Sequence, residues 1–154
     1  MKNVIVSFSI FVILLSCNLS VQAPGTTSTK KPIEGTWKLL TGTLIEKGDT
    51  VVTDYTKGKS FIKIINDDHF AFLTHDLNKG KNADSMFVAG GGGYSFHDSS
   101  YTEHLEYCND RQWEGNDFSF TVTINNDTLL QKGIEKIDSL GVNRLNIEKY
   151  IRLK

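Results

Sequence analysis

The sequence predicts an all-β domain, an antiparallel up-and-down β-barrel of eight to ten strands occupying residues 33–154. Three observations carry that expectation. From Ile33 onward, short segments rich in β-branched and aromatic residues are separated by turn chemistry such as EKGD, TKGK, NDDH, WEGND and LGVN, and no convincing helix intervenes. The segment DFSFTVTIN alternates strictly, with Phe118, Phe120, Val122 and Ile124 on one face and Ser119, Thr121 and Thr123 on the other. Finally, a sheet of this many strands must split or close on itself, and FVAGGGGYSF places Gly90 to Gly93 inside an alternating stretch. Glycine within a strand marks a bulge, a tight bend, or a point where another backbone comes close, so the run is expected to be a barrel corner.

The first segment stands apart from that body. MKNVIVSFSIFVILLSC combines a basic start at Lys2 with an apolar run too short to span a bilayer permanently, which reads as an export signal over residues 1–16. Its end, Leu14-Leu15-Ser16-Cys17, resembles the bacterial lipobox, in which the cysteine is lipidated and becomes the mature N-terminus. Ordinary cleavage after Ala23 is the rival, but Pro24 directly after that bond fits poorly. Residues 17–32 then comprise the lipidated Cys17 and NLSVQAPGTTSTKKP, a Ser/Thr/Pro/Lys-rich tether expected to be disordered and to reach about 20 Å as a random coil. The lipobox implies a lipid-anchored protein of the cell envelope, at the outer membrane and facing the periplasm, touching the membrane through its N-terminal lipid only. With Cys17 committed to lipid, Cys108 has no intramolecular partner and reads as a small sheltered residue.

Along the body, IEGTWKLL opens the strand series, and TGTLIEKGDTVVTDY continues it as strand and turn. HFAFLTH and the glycine-bearing segment follow. In YTEHLEY, alternation puts Tyr101, Glu103, Leu105 and Tyr107 on the more apolar face. In the closing RLNIEKYIRL it puts Tyr150 and Arg152 together. Seventeen Lys and Arg against eighteen Asp and Glu, without a basic stripe, argue against nucleic acid as a partner, and a monomer is expected.

Gly35 and Trp37 of IEGTWKLL resemble the Gly-x-Trp of the first strand in the lipocalin and fatty-acid-binding-protein superfamily, the calycins, and Arg152 falls on the last strand, where such barrels often place an arginine near the opening Trp. GGGGYSF, YTEHLEYCND and NNDTLLQKG resemble lipocalin-like domains of uncharacterised bacterial exported proteins, over most of residues 33–154. Fatty-acid-binding proteins insert a helical lid after the first strand, which this chain lacks. They also hold a ligand carboxylate with an Arg and a Tyr two apart on the last strand, here in reversed order as Tyr150 and Arg152. The resemblance implies a barrel that binds a small apolar or amphipathic molecule. On that reading Tyr101, Glu103, Tyr150 and Arg152 form the polar end of a cavity lined by Phe70, Phe72, Tyr94, Phe118 and Phe120. The alternative is a non-catalytic structural or interaction module of the envelope whose barrel is filled, with Glu103 and Arg152 neutralising each other and Trp37 as a plug.

Catalytic chemistry finds no support. The four histidines stand beside carboxylates, but neighbours on a strand point to opposite faces, and no closed metal-ligand set is spaced in the chain. Gly-x-Ser-x-Gly is absent, and the glycine run lacks the following helix of a phosphate loop. No cofactor, metal or catalytic residue is expected. One further pattern, Asp then Ser or Thr then an apolar residue, resembles an O-glycosylation sequon of some Gram-negative bacteria and would make Thr50, Ser85, Thr128 and Ser139 acceptors.

Overall fold

A computed structural model describes residues 30–81, 83 and 85–154; the segment read as an export signal, Cys17 and the expected tether up to residue 29 lie outside the described residues. Ten strands form one antiparallel sheet: β1 (Gly35–Glu46), β2 (Asp49–Asp54), β3 (Lys59–Ile65), β4 (His69–Asp76), β5 (Phe87–His97), β6 (Ser100–Leu105), β7 (Tyr107–Cys108), β8 (Asn116–Asn125), β9 (Thr128–Ile137) and β10 (Val142–Arg152). Eight of them close into a barrel, because β10 pairs back onto β1 from Trp37 opposite Arg152 to Ile45 opposite Leu145. The connections are mostly tight turns. Lys47 and Gly48, with φ of 52° and 90°, make the two-residue reversal between β1 and β2 that suits the right-handed twist of a hairpin.

Both β2 and β3 lie on the same side of β1. The first half of β1 pairs with β3, Gly35 opposite Ile65, and its second half with β2, Thr41 opposite Asp54. At the changeover Leu40 bulges out of the pairing with β10, and its carbonyl accepts a 2.9 Å bond from the Tyr55 amide. One extra residue reverses strand parity. Trp37 and Leu39 therefore point inward before the bulge, and Gly42 and Leu44 after it.

The glycine run is a corner of a particular kind. Gly90 and Gly91 pair with Cys108 and Tyr107 of β7, and from Tyr94 onward β5 pairs with β6 instead. None of the four glycines has positive φ. What they supply is closeness: a Cβ on Gly91 would overlap the Phe70 carbonyl oxygen, one on Gly92 the His104 carbonyl oxygen, and one on Gly90 would lie 2.5 Å from Phe72 Cζ. At these three positions side chains are absent because neighbouring backbone and an inward phenyl ring occupy their places.

A bulge also corrects the reading of YTEHLEY. Tyr101, Glu103 and Leu105 point inward as expected, but Glu106 is an extra residue between β6 and β7, its amide donating to the Gly91 carbonyl at 3.0 Å. Parity flips there. Tyr107 is turned out and is 67% exposed, and Cys108 turns in. In β8 the strict alternation holds, with Phe118, Phe120 and Val122 buried and Ser119, Thr121 and Thr123 in water.

One end of the barrel is sealed. Trp37, wholly buried, donates its indole N–H to the Ile33 carbonyl at 2.8 Å. Arg152 lies 4.0 Å over the indole ring and donates to the Glu34 and Pro32 carbonyls at 2.6 and 2.8 Å. Lys31 donates to the Asp67 carbonyl and sits 5.1 Å over the Tyr94 ring. Lys31 and Pro32, assigned to the tether from the sequence, thus belong to the folded body. Above this base, Phe70, Tyr94 and Phe120 surround Tyr101 with centroid separations of 5.5 to 6.5 Å, tilted or edge-on as aromatic quadrupoles favour.

Candidate functional site

Above the aromatic base the barrel is hollow. A cavity of about 490 Å³ opens at the far end, past a rim that includes Thr53, Val88, Asn109, Asp110, Trp113 and Arg144. Its walls near the mouth are aromatic: Phe61 stacks on Phe72 at 5.9 Å, Tyr55 meets Phe61 edge-on at 5.8 Å, and Trp113 lies 5.8 Å from Phe118. Gly42 makes room for the Tyr55 ring, which would lie 3.1 Å from any Cβ there. The side wall carries Glu135, which accepts from Arg144 Nε at 2.6 Å and from Asn146 Nδ2 at 2.7 Å, and Arg144 also covers the Trp113 ring at 5.1 Å.

The cavity floor is charged. Lys63, on β3 between the inward Phe61 and Ile65, sends its ammonium 2.6 Å from Glu103 Oε1 and 3.1 Å from Gln131 Oε1. Glu148 Oε2 is 3.8 Å away and accepts the Tyr150 hydroxyl at 2.7 Å. The ammonium rests on the base, 5.4 to 5.9 Å from the ring centres of Tyr150, Phe70 and Tyr101. Desolvating such charges is expensive unless each is paired and hydrogen-bonded, and the ring faces and carboxylates supply that compensation. The Tyr101 hydroxyl and Thr74 Oγ1 are buried with no hydrogen-bond partner among the described residues.

These contacts set the protonation of the floor. Burial opposes the Lys63 charge, but Glu103 and then Glu148 outweigh it and hold the ammonium above its ordinary pKa. Burial lifts Glu103 above the ordinary carboxyl range, and Lys63 only partly counters this. Tyr101 and Tyr150 are both pushed far up, by burial first and then by the neighbouring carboxylates, so their phenols stay neutral.

Of the residues singled out from the sequence, Phe72, Glu103, Phe118 and Phe120 line the cavity. Phe70, Tyr94, Tyr101 and Tyr150 lie beneath its floor in the packed base rather than on its wall. Arg152 is a correction: it is on the sealed end over Trp37, outside the cavity, so the expected Tyr150–Arg152 head-group pair does not form. Nor does it neutralise Glu103, whose partner is Lys63. Cys108 is a free, half-buried thiol on the cavity wall. Thr50, Ser85 and Ser139 are exposed and Thr128 is half-buried, whereas Cys17 lies outside the described residues.

Lys63, Gln131, Glu135, Asn146 and Glu148 were missed in the sequence. The signal was present: FIKII is a strand in which Lys63 shares a face with Phe61 and Ile65, and LLQKGIEKI aligns Gln131 and Glu135 with the apolar Leu129 and Ile137. Among the described residues no three His, Cys, Asp or Glu side chains converge as a metal site. His69, His97 and His104 instead meet Asp68, Asp98 and Asp117 singly on the surface at 2.8 to 3.0 Å. The chain matches no known family model and no curated protein.

Proposed function

We propose that this protein is an envelope lipoprotein, tethered through Cys17 at the outer membrane, whose lipocalin-like barrel binds one small amphipathic molecule as a monomer and performs no chemistry on it. The observation that carries the reading is the cavity: about 490 Å³, aromatic at its mouth and polar at its floor. Small-molecule pockets typically enclose ~300–1,000 Å³ with apolar walls and a few fixed polar groups. A barrel of this strand number can equally fill itself with side chains, so the space itself supports binding over a purely structural role.

The competing reading is an interaction module working through its outer surface. It draws on a row of directly paired, outward residues across three strands, Ile45, Leu145 and Ile134, the last 52% exposed. The two readings separate on titration of the full chain with N-phenyl-1-naphthylamine, a neutral apolar dye that fluoresces in dry sites. Binding predicts saturation at one dye per chain and its loss in Val88→Trp, which fills the cavity mouth while circular dichroism stays unchanged. Absence of saturable dye, or undiminished binding in that variant, defeats the cavity reading. Native mass spectrometry of protein drawn from its own envelope would then weigh any retained ligand.

A further inference from the structure

Two cations, Lys63 and Arg144, share the cavity lining with four carboxylates, Glu103, Asp110, Glu135 and Glu148. Each cation already faces a carboxylate, Lys63 at the floor and Arg144 through Nε nearer the mouth. Arg144 is engaged by Glu135 at 2.6 Å, and Lys63 is enclosed by Glu103 at 2.6 Å, Gln131 at 3.1 Å and Glu148 at 3.8 Å. An anionic head group entering this floor would therefore meet uncompensated carboxylate, while its natural counter-charge is already spoken for.

The floor also keeps acceptors that could meet a donating head. Glu103, 7% exposed, spends Oε1 on Lys63, and its carboxylate also lies beside the Tyr101 hydroxyl. Asn146, also 7% exposed, gives its Nδ2 to Glu135, an acceptor-only group, and this fixes its amide so that Oδ1 is left over as an acceptor. Both residues line the cavity. Gln131 is held the opposite way, oxygen toward Lys63, so its amide N–H groups, the second N–H of Asn146 and the Nη groups of Arg144 nearer the mouth are the donors left over.

From this arrangement we infer that the cavity takes a ligand with a cationic, hydrogen-bond-donating head, an ammonium or amine on an apolar body, and disfavours a fatty acid or other anion. The inference rests on the cavity being a binding site. The ammonium would lie against the Glu103 carboxylate, Asn146 Oδ1 and Glu148, and its apolar body would run outward between Phe61, Phe72 and Phe118. The site would then be nearly charge-balanced, and its free acceptors would be satisfied.

The test displaces N-phenyl-1-naphthylamine from the wild-type full chain with n-decylamine, decanoate and 1-decanol, each below its micelle concentration. These probes share chain length and differ in the head. The amine is expected to displace the dye at about tenfold lower concentration than decanoate, the alcohol falling between, as one compensated charge in a partly buried site would produce. Glu148→Gln, which removes the carboxylate charge 3.8 Å from Lys63, should shrink that gap; Asp110→Asn at the exposed rim should move it less. Decanoate matching or surpassing the amine overturns the head-group assignment while leaving a binding cavity in place. Dye that never binds the folded wild-type chain overturns the cavity reading and the assignment with it.

Discussion

Gly92 and Gly93 are adjacent in one strand, yet the structure gives them opposite responses to the same substitution. A Cβ on Gly92 would overlap the His104 carbonyl oxygen and come within 2.8 Å of the Glu106 amide nitrogen. Carbon rarely approaches a carbonyl oxygen more closely than ~3.3 Å, so β5 and β6 would have to part by about 1 Å. The first casualty is the Glu106 N–H to Gly91 carbonyl bond, 3.0 Å long and located at the bulge itself. Overpacking costs ~1–3 kcal/mol and a weakened backbone hydrogen bond about 1 kcal/mol. Replacing glycine by alanine returns ~0.5–1 kcal/mol through the unfolded chain. The net for Gly92→Ala is a loss of about 2 kcal/mol. A Cβ on Gly93 would find Glu106 Oε1 at 3.4 Å and nothing nearer, an ordinary contact, so Gly93→Ala should be neutral or stabilising by ~0.5 kcal/mol. Urea unfolding followed by the fluorescence of Trp37 and Trp113 reads both. With a slope of ~2 kcal/mol per molar, Gly92→Ala should lower the midpoint by about 1 M and Gly93→Ala should not. Equal midpoints, or a larger loss for Gly93, would refute close approach as the reason for the glycine run.

Other expectations concern the charges. Lys63→Met should cost ~3–5 kcal/mol in urea unfolding, because Glu103 and Glu148 lose their buried counter-ion, and Lys63→Met combined with Glu103→Leu should recover most of it; additive losses would contradict the pairing. Arg152→Ala removes the cover on Trp37 and two bonds to backbone carbonyls, so it should destabilise by ~1–3 kcal/mol while leaving dye affinity unchanged, and a selective loss of dye affinity would return Arg152 to the cavity. Burial raises the folded Glu103 pKa, so its contribution to stability is complete below the ordinary value of ~4.3 and is lost as pH rises through the folded value. Glutamine does not titrate, so the stability of Glu103→Gln relative to wild type should improve as pH rises above about 4.5, and a flat difference would refute the shift.

The barrel was legible because strand periodicity survives in most elements; β8 shows this most plainly, with Phe118, Phe120 and Val122 in register for the core. Parity was lost where a single residue bulges. Leu40 and Glu106 carry no distinctive side chain, and a bulge depends on the partner strand changing, as β3 gives way to β2 and β6 to β7. Tyr107 was misplaced for that reason alone. Arg152 was misplaced for another: alternation gives the face of a strand but not its depth, and the last residue of β10 lies level with Trp37 at the sealed end. Lys63, Glu135 and Glu148 were passed over because surface exposure is the ordinary fate of such residues.

On β10 the usual polarity of a barrel wall is inverted. Arg144, Asn146 and Glu148 face the lumen, and the intervening Leu145 and Ile147 face outward. A closed core gains nothing from that order, since a buried ion pair seldom outdoes a well-packed apolar pair of the same volume. The cost of the inverted order falls if the lumen above it holds water or a polar ligand, because each charge then keeps part of its solvation. The inversion also stops where the cavity stops: one residue pair further along, Tyr150 packs beneath the floor among Phe61 and Leu39, and the interior is aliphatic and aromatic down to Trp37. Polar residues thus turn inward over the hollow portion of the strand and apolar ones over the filled portion. A filled barrel would need apolar residues along the whole length, so the change of pattern along a single strand argues for a solvated site at the open end and a dry anchor at the other.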